Sequence, residues 1–326
     1  MQIKSVPFVA AAVAALSAAP AFAATLSNST GYALTNNGNS LVVFNNLADL
    51  SDTTTLLLSG SGTIDALAWR PVTQQLYGYA SKGDDAVFVI DTMTGVATNT
   101  NATIGSGVAI DNSAGVGFDF NNTLDAARAV STREDNAVFV PGDTIGTLDP
   151  MGPDGRVFAV TDLAYSDSTG LMAPDIFANA YTNAVNGMLA STTLQYGLDS
   201  ANNSLVTIAN NAGTLETVGA LVDSSTDQVL DISGIGGLEI LSDFEGDNLA
   251  LALLNFSNGS TAGLFEIDLS NGRSTRLGDA NAPGVFPYIG FAASTAPAPV
   301  PVPASGLMLV AALGGLGALR RKMRKA

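Results

Sequence analysis

Three observations in the 326-residue sequence predict an all-β fold. The chain is 47 % apolar but only 13 % charged, well below the usual quarter. Short β-prone runs recur along it: Leu41-Val42-Val43-Phe44, Leu76-Tyr77-Gly78-Tyr79, Ala86-Val87-Phe88-Val89-Ile90, Ala137-Val138-Phe139-Val140 and Leu264-Phe265-Glu266-Ile267. Each run ends in a turn signal, and no amphipathic helix of comparable strength competes with them.

A longer unit repeats as well. Val89-Ile90-Asp91-Thr92-Met93-Thr94-Gly95-Val96 and Glu266-Ile267-Asp268-Leu269-Ser270-Asn271-Gly272-Arg273 match nearly position for position. Tyr196-Gly197-Leu198-Asp199, with Leu205-Val206-Thr207 and Asn211-Ala212-Gly213-Thr214-Leu215, forms a degenerate third copy. Asp at the strand end caps the turn through its side chain, and Gly supplies positive φ. Hairpins repeated in this way predict a β-propeller, whose radial repetition protects strand edges without disulfides. At about 40 to 45 residues per blade the chain predicts six blades, with five or seven also compatible; a β-sandwich pair is the alternative.

The two ends are addresses rather than fold. Residues 1–23 carry Lys4, an apolar run from Val6 to Ala19, and Pro20-Ala21-Phe22-Ala23 before Ala24. This is the pattern of a signal peptide cut between Ala23 and Ala24 by signal peptidase. Residues 24–294 are then the ectodomain, 295–303 a Pro/Ala linker, 304–319 an apolar stretch and 320–326 a basic end. Sixteen uncharged residues make a helix of roughly 24 Å, enough for a single transmembrane helix with snorkelling Arg. The basic cluster stays cytoplasmic by the positive-inside rule.

Composition removes several chemistries. There is no cysteine and no histidine, so disulfides, thiol catalysis, Ser-His-Asp hydrolysis and ordinary zinc sites are unsupported. The ectodomain holds all 29 acidic residues and only seven of the 13 basic ones, a net charge of −22. That field repels phosphate backbones and argues against nucleic acid as a partner.

The tail resembles the PEP-CTERM class of sorting signals in its VPxxA variant, through Val300-Pro301-Val302-Pro303-Ala304, the helix containing Gly314-Gly315, and the Arg/Lys end. The resemblance implies an exosortase-type processing protease as partner and a Gram-negative source. The protein would be exported across the inner membrane, then membrane-anchored or released to the cell surface after processing. The ectodomain resembles the DUF4394 family, a domain of unknown function. The residues that carry the likeness are Ile64-Asp65, Trp69-Arg70-Pro71 and Leu76-Tyr77-Gly78, then Gly117-Phe118-Asp119-Phe120-Asn121 with Asp125 and Arg128-Ala129-Val130-Ser131, and later Ala180-Tyr181-Thr182-Asn183. Asn122 and Ala126 depart from the family pattern, which has Pro and Arg there. The resemblance implies a propeller and no particular reaction.

Three groups of residues are candidate sites. Asp119, Asn121, Asp125 and Arg128 put two carboxylates, an amide and a guanidinium on one hairpin, able to bind a sugar or cation or else to lock a turn. Trp69 and Arg70 offer a sugar-stacking face or a guanidinium–indole staple. Asp243, Glu245 and Asp247 alternate around Gly246 and would suit calcium, the one cofactor the sequence suggests. No catalytic residue stands out.

The leading expectation is a non-enzymatic, surface-directed binding protein or structural protein whose partner is an extracellular polysaccharide or an envelope protein. The rival is an extracellular enzyme acting on glycans or lactones through carboxylates, with or without calcium.

Overall fold

Five antiparallel sheets form a ring in the computed structural model, which describes residues 25–35, 37–82, 85–111, 115–146, 154–280 and 287–295. Blade I holds β1 (Ser29–Thr35), β2 (Ser40–Phe44) and β3 (Thr53–Leu57). Blade II holds β4 (Ala66–Arg70), β5 (Gln75–Ala80), β6 (Ala86–Ile90) and β7 (Ala97–Asn99). Blade III comprises β8 (Thr103–Ile104), β9 (Val116–Asn121), β10 (Ala126–Ser131), β11 (Asn136–Val140) and β12 (Arg156–Ala159). Blade IV comprises β13 (Ala164–Tyr165), β14 (Ile176–Tyr181), β15 (Gln195–Asp199), β16 (Ser204–Ala209) and β17 (Thr214–Ala220). Blade V comprises β18 (Val222–Asp223), β19 (Ile232–Leu241), β20 (Leu249–Phe256), β21 (Gly263–Ile267) and β22 (Arg273–Asp279).

The last strand, β23 (Tyr288–Thr295), returns to become the inner strand of blade I, pairing antiparallel with β1 from Ser29 opposite Thr295 to Leu34 opposite Gly290. The ring is thereby closed by backbone hydrogen bonds between the two ends of the ectodomain. The propeller expectation holds, but the six blades expected are five. Inner strands start at Ala66, Val116, Ile176, Ile232 and Tyr288, about 50 to 60 residues apart, because blades II to V also carry an outer strap that a simple four-strand unit lacks.

That strap explains the repeated hairpin. β8, β13 and β18 run parallel to the outermost strands β12, β17 and β22, and Ser59 bridges Val96 in the same way on blade II. In the outer hairpin of blade II, Asp91 Oδ1 accepts hydrogen bonds from Met93 N and Thr94 N, and the carbonyl of Gly95 accepts one from Ser59 N. In blade V, Asp268 Oδ1 accepts from Ser270 N and the Gly272 carbonyl from Val222 N. Gly272 has φ +80, and a Cβ there would stand 2.6 Å from the Ala220 carbonyl oxygen. The Asp-to-Gly motif therefore makes both the turn and the seat for the strap.

Burial falls from the axis outward. Every residue of β9 is buried, whereas β3 is largely exposed, since an inner strand is covered by blades on both faces and reads as a continuous rather than alternating run. Apolar slabs fill the spaces between blades: Phe118, Phe120 and Phe139 meet Tyr77 and Tyr79 between blades II and III. Leu198 and Leu205 meet Leu238 and Phe265 between blades IV and V.

The five inner strands touch at the axis through Ala66, Gly117, Ala178, Gly237 and Gly290. A Cβ on Gly117 would lie 2.7 Å from Ala178 Cα, and one on Gly237 would lie 2.4 Å from Phe291 N. Only about 10 Å³ remains there, so the axis is closed at that level and a ligand of sugar size has to bind elsewhere.

The expected cleavage site at Ala23 and Ala24, the motif Val302, Pro303 and Ala304, and the stretch 304–319 lie outside the described residues. Among the described residues no helix is long and apolar enough to cross a membrane.

Candidate functional site

Because every blade is an antiparallel meander, its first and third hairpins emerge at one end of the ring. The residues singled out in the sequence cluster toward that end but do not form one site. Arg70 is fully buried at the end of β4 and reaches across to blade III. Its Nε and Nη2 donate to the two carboxylate oxygens of Asp125 at 2.8 and 2.7 Å, and its Nη1 donates to Asp143 at 2.7 Å and to the Tyr77 hydroxyl at 3.0 Å. Burial opposes its charge, but the hydrogen bonds to Asp125 and Asp143 outweigh this and raise its pKa. The guanidinium lies over Tyr77 and Phe120, not over Trp69. Successive residues of a strand point to opposite faces, so Trp69 turns away, stacks on Tyr32 at 5.9 Å and donates from Nε1 to Asn186.

Arg128 makes a second bridge, from blade III to blade IV. It donates to the Tyr181 hydroxyl at 3.0 Å, Asn136 Oδ1 at 2.6 Å and Asn211 Oδ1 at 2.7 Å. Asn121 Oδ1 accepts from Thr123 N, Thr123 Oγ1 and Leu124 N within its own hairpin. Arg128 and Asn121 thus meet at the Tyr181 hydroxyl, whereas Asp125 belongs to the Arg70 network.

Asp119, opposite Arg128 in register, meets the same Tyr181 at the tyrosine's amide and faces the axis. Its carboxylate accepts hydrogen bonds from Tyr181 N and Phe120 N, while Glu239 accepts from Ile240 N, Ala293 N and Trp69 N. Those five amides stand at one level, each three residues beyond the axial contact residue of its own inner strand, one from each blade. They are the axis-facing donors of five unpaired strand edges, which without acceptors would be costly orphans. Two carboxylates satisfy all five. Burial raises the Glu239 pKa to about 8. Burial and then the charge of Glu239 raise that of Asp119 well above the ordinary carboxylate range, so the pair holds a proton at neutral pH.

The acidic loop does not assemble the expected calcium cage. Asn248 Oδ1 accepts from Asn183 N, and Asn183 Oδ1 accepts from Gly246 N, tying the loop to blade IV. This turns Glu245 outward to accept from Ser191 N and Oγ. Asp243 accepts from Thr25 Oγ1. Asp243 and Asp247 border a hollow of about 120 Å³ with Leu249, Asn248 and Glu266, and no three carboxylates among the described residues converge at metal-binding distance.

Beside that hollow lies a cleft of about 700 Å³ between blades IV and V, lined by Thr182, Tyr196, Asn248, Glu266, Asp268 and Arg273 among others. Tyr196, 9 % exposed, has a hydroxyl with no hydrogen-bond partner among the described residues, and burial raises its pKa. Glu266 likewise forms no hydrogen bond or ion pair among them; burial first and then Asp268 raise its pKa. Asp268 is instead held low by the Ser270 hydroxyl and amide. Arg273 is neutralised by Asp227 at 2.7 Å.

These cleft residues were visible in the sequence only as turn repeats. The signal lay in the mismatch between the two hairpins: Glu266 and Arg273 stand where the blade II copy has Val89 and Val96. Val89 packs against the core between blades II and III, whereas Val96 is itself exposed, so the exchange of Val89 for Glu266 is the one that marks where the blade V copy faces something other than core.

A closed ring of five sheets defines a five-bladed β-propeller. The chain belongs to DUF4394, a domain of unknown function, whose family model matches residues 40–287. No curated protein matches it. Solved structures similar to it include an auxiliary nutrient binding protein from Bacteroides ovatus (13 % identity, 68 % of this chain and 55 % of that one, TM-score 0.39). Others are a gluconolactonase from Xanthomonas campestris (15 % identity, 82 % and 84 %, TM-score 0.40) and TolB from Acinetobacter baumannii (11 % identity, 78 % and 54 %, TM-score 0.38). This chain spans about half the length of the B. ovatus and A. baumannii proteins.

Proposed function

We propose that this protein is an exported propeller that binds a hydroxyl-rich extracellular glycan in the cleft between blades IV and V without transforming it. The observation that carries this reading is Tyr196, a side chain nine-tenths buried in the cleft wall whose hydroxyl has no hydrogen-bond partner among the described residues, beside the equally unpartnered carboxylate of Glu266. Polar groups on a cleft wall with hydrogen-bonding capacity left unused are the groups a ligand engages. The walls add Thr182, Asn248, Ser270 and Thr275, donors and acceptors of the kind that sugar hydroxyls match. Titration calorimetry of the full-length chain against a glycan panel tests this. Binding that Tyr196→Phe weakens supports the reading, and binding indifferent to Tyr196→Phe and Glu266→Gln counts against it.

Under the same proposal, signal peptidase removes residues 1–23 and an exosortase-type protease acts on the tail around Val302, Pro303 and Ala304. A chain lacking residues 300–326 is then lost from the cell envelope; full retention would refute the sorting step.

A second reading rests on one observation: the Glu266 and Asp268 carboxylates line the same cleft, as the carboxylate pair of a glycoside hydrolase does. It predicts new reducing ends from a glycan substrate, abolished by Asp268→Asn. Glycans bound but recovered intact exclude it.

A further inference from the structure

We infer that the glycan taken by this cleft carries free, protonated amines, as a de-N-acetylated amino-sugar polymer does; the inference rests on the cleft being the binding site. Glu266 and Asn248 line both the 700 Å³ cleft and the 120 Å³ hollow beside it, so the two cavities share a wall. The hollow adds Asp243 and Asp247, and the cleft adds Asp268. Against these four carboxylates stands a single cation, Arg273, already paired with Asp227. The combined site is therefore negative, with Glu266 its half-buried and unpartnered centre.

A metal ion is a poor match for that charge, because no three carboxylates converge and calcium needs six to eight oxygens at 2.3–2.6 Å. An ammonium group asks for less. It donates three hydrogen bonds of ordinary length and tolerates acceptors spread around a small hollow. The hollow is large enough for an ammonium and the carbon that bears it. The ring belongs in the larger cleft, where the Tyr196 hydroxyl and the threonine and serine side chains meet its hydroxyls. The same field disfavours uronic-acid glycans, whose carboxylates would face Glu266 and Asp268.

The test uses the full-length chain and three probes in titration calorimetry: a β-1,4-glucosamine oligomer, its fully N-acetylated counterpart and an oligogalacturonate. The glucosamine oligomer is expected to bind about tenfold or more tightly than the acetylated one, the loss in Glu266→Gln being of the size of one charge-assisted hydrogen bond. Asp167→Asn, which removes an exposed carboxylate on a different loop, keeps the preference and so separates the cleft from the general acidity of the chain. Equal binding of the acetylated oligomer, or an amine preference that survives Glu266→Gln, overturns the inference. In that case a loss of affinity in Tyr196→Phe still upholds the cleft as the site. No binding of any probe, or binding untouched by both substitutions, removes the inference together with the reading beneath it.

Discussion

The molecule carries two pairs of carboxylates in settings that differ in what surrounds them. Asp119 and Glu239 are wholly buried at the axis, and five backbone amides from five blades converge on them. Glu266 is half-buried on the wall of a cleft and makes no hydrogen bond among the described residues, and Asp268 beside it is held by its own turn. Burial raises the pKa of Glu239 and of Glu266 alike, so a raised pKa does not distinguish a structural acid from a binding one. Unused hydrogen-bonding capacity does. The axial pair closes the ring; the cleft pair is available to a ligand.

The largest effect that would break this contrast is at Glu239. Glu239→Ala leaves the amides of Ile240, Ala293 and Trp69 without an acceptor, at about 1–3 kcal/mol for each group that water cannot reach. We expect a loss of about 3 kcal/mol or more in urea unfolding, enough to leave the chain marginally folded. A loss below about 1 kcal/mol would show that the edge amides do not depend on the axial carboxylates.

The same pair sets a pH dependence. The folded pKa of Glu239, about 8, stands above its ordinary 4.5, so between these values the folded chain holds a proton that the unfolded chain has released. The stability from this group is complete below about pH 4.5 and is lost as pH rises through 8, by at most about 1.4 kcal/mol per unit. Asp91, held low by the Met93 and Thr94 amides, and Asp268, held low by Ser270, act in the opposite sense. Their contribution is present above about pH 4 and is lost as pH falls further. The urea midpoint is therefore expected to be highest near pH 5 and to decline toward pH 8.5, and Glu239→Gln, which mimics the protonated acid, is expected to flatten the decline. A wild-type midpoint that rises from pH 5 to 8.5 would mean that the axial pair holds no proton.

A smaller effect is expected at the staple between blades II and III. Arg70→Lys keeps the charge but loses the two-pronged contact with Asp125 and the flat stacking between Tyr77 and Phe120. We expect about 1.5–3 kcal/mol of destabilisation with no change in glycan affinity. A loss of affinity without a loss of stability would move Arg70 from scaffold to site.

How far the sequence reveals these roles depends on the range of the contacts. The all-β class, the hairpins and the closing Asp-to-Gly turns are local, and period-two runs with turn residues report them directly. Blade number is less accessible, because the outer straps lengthen the repeat and pair parallel with strands far along the chain. Asp119, Asp125 and Arg128 are conspicuous as a charged group on one hairpin; Asp119 and Arg128 stand opposite each other in register and both reach Tyr181 of blade IV, whereas Asp125 turns to Arg70 of blade II. Glu239 is unremarkable in sequence, since its partners are amides of Trp69 and Ala293 brought near only by closure of the ring. Glu266 is legible only by comparison with Val89 in the sister hairpin.

That comparison gives the smallest stability effect and the sharpest separation of the two roles. Glu266→Val installs the residue that blade II has at the same point of its hairpin, on a strand where β-branched side chains are favoured. It also removes a half-buried carboxylate that lacks a partner. If Glu266 is kept for a ligand, the substitution is neutral or stabilises the chain by up to about 1 kcal/mol, because a binding residue is often one the fold would do better without. Affinity for the glycan should fall over the same comparison, read by unfolding and calorimetry on one preparation. A destabilisation above about 1 kcal/mol would instead place Glu266 with Glu239, as an acid the fold requires, and would transfer the search for the ligand to Tyr196 and the opposite wall of the cleft.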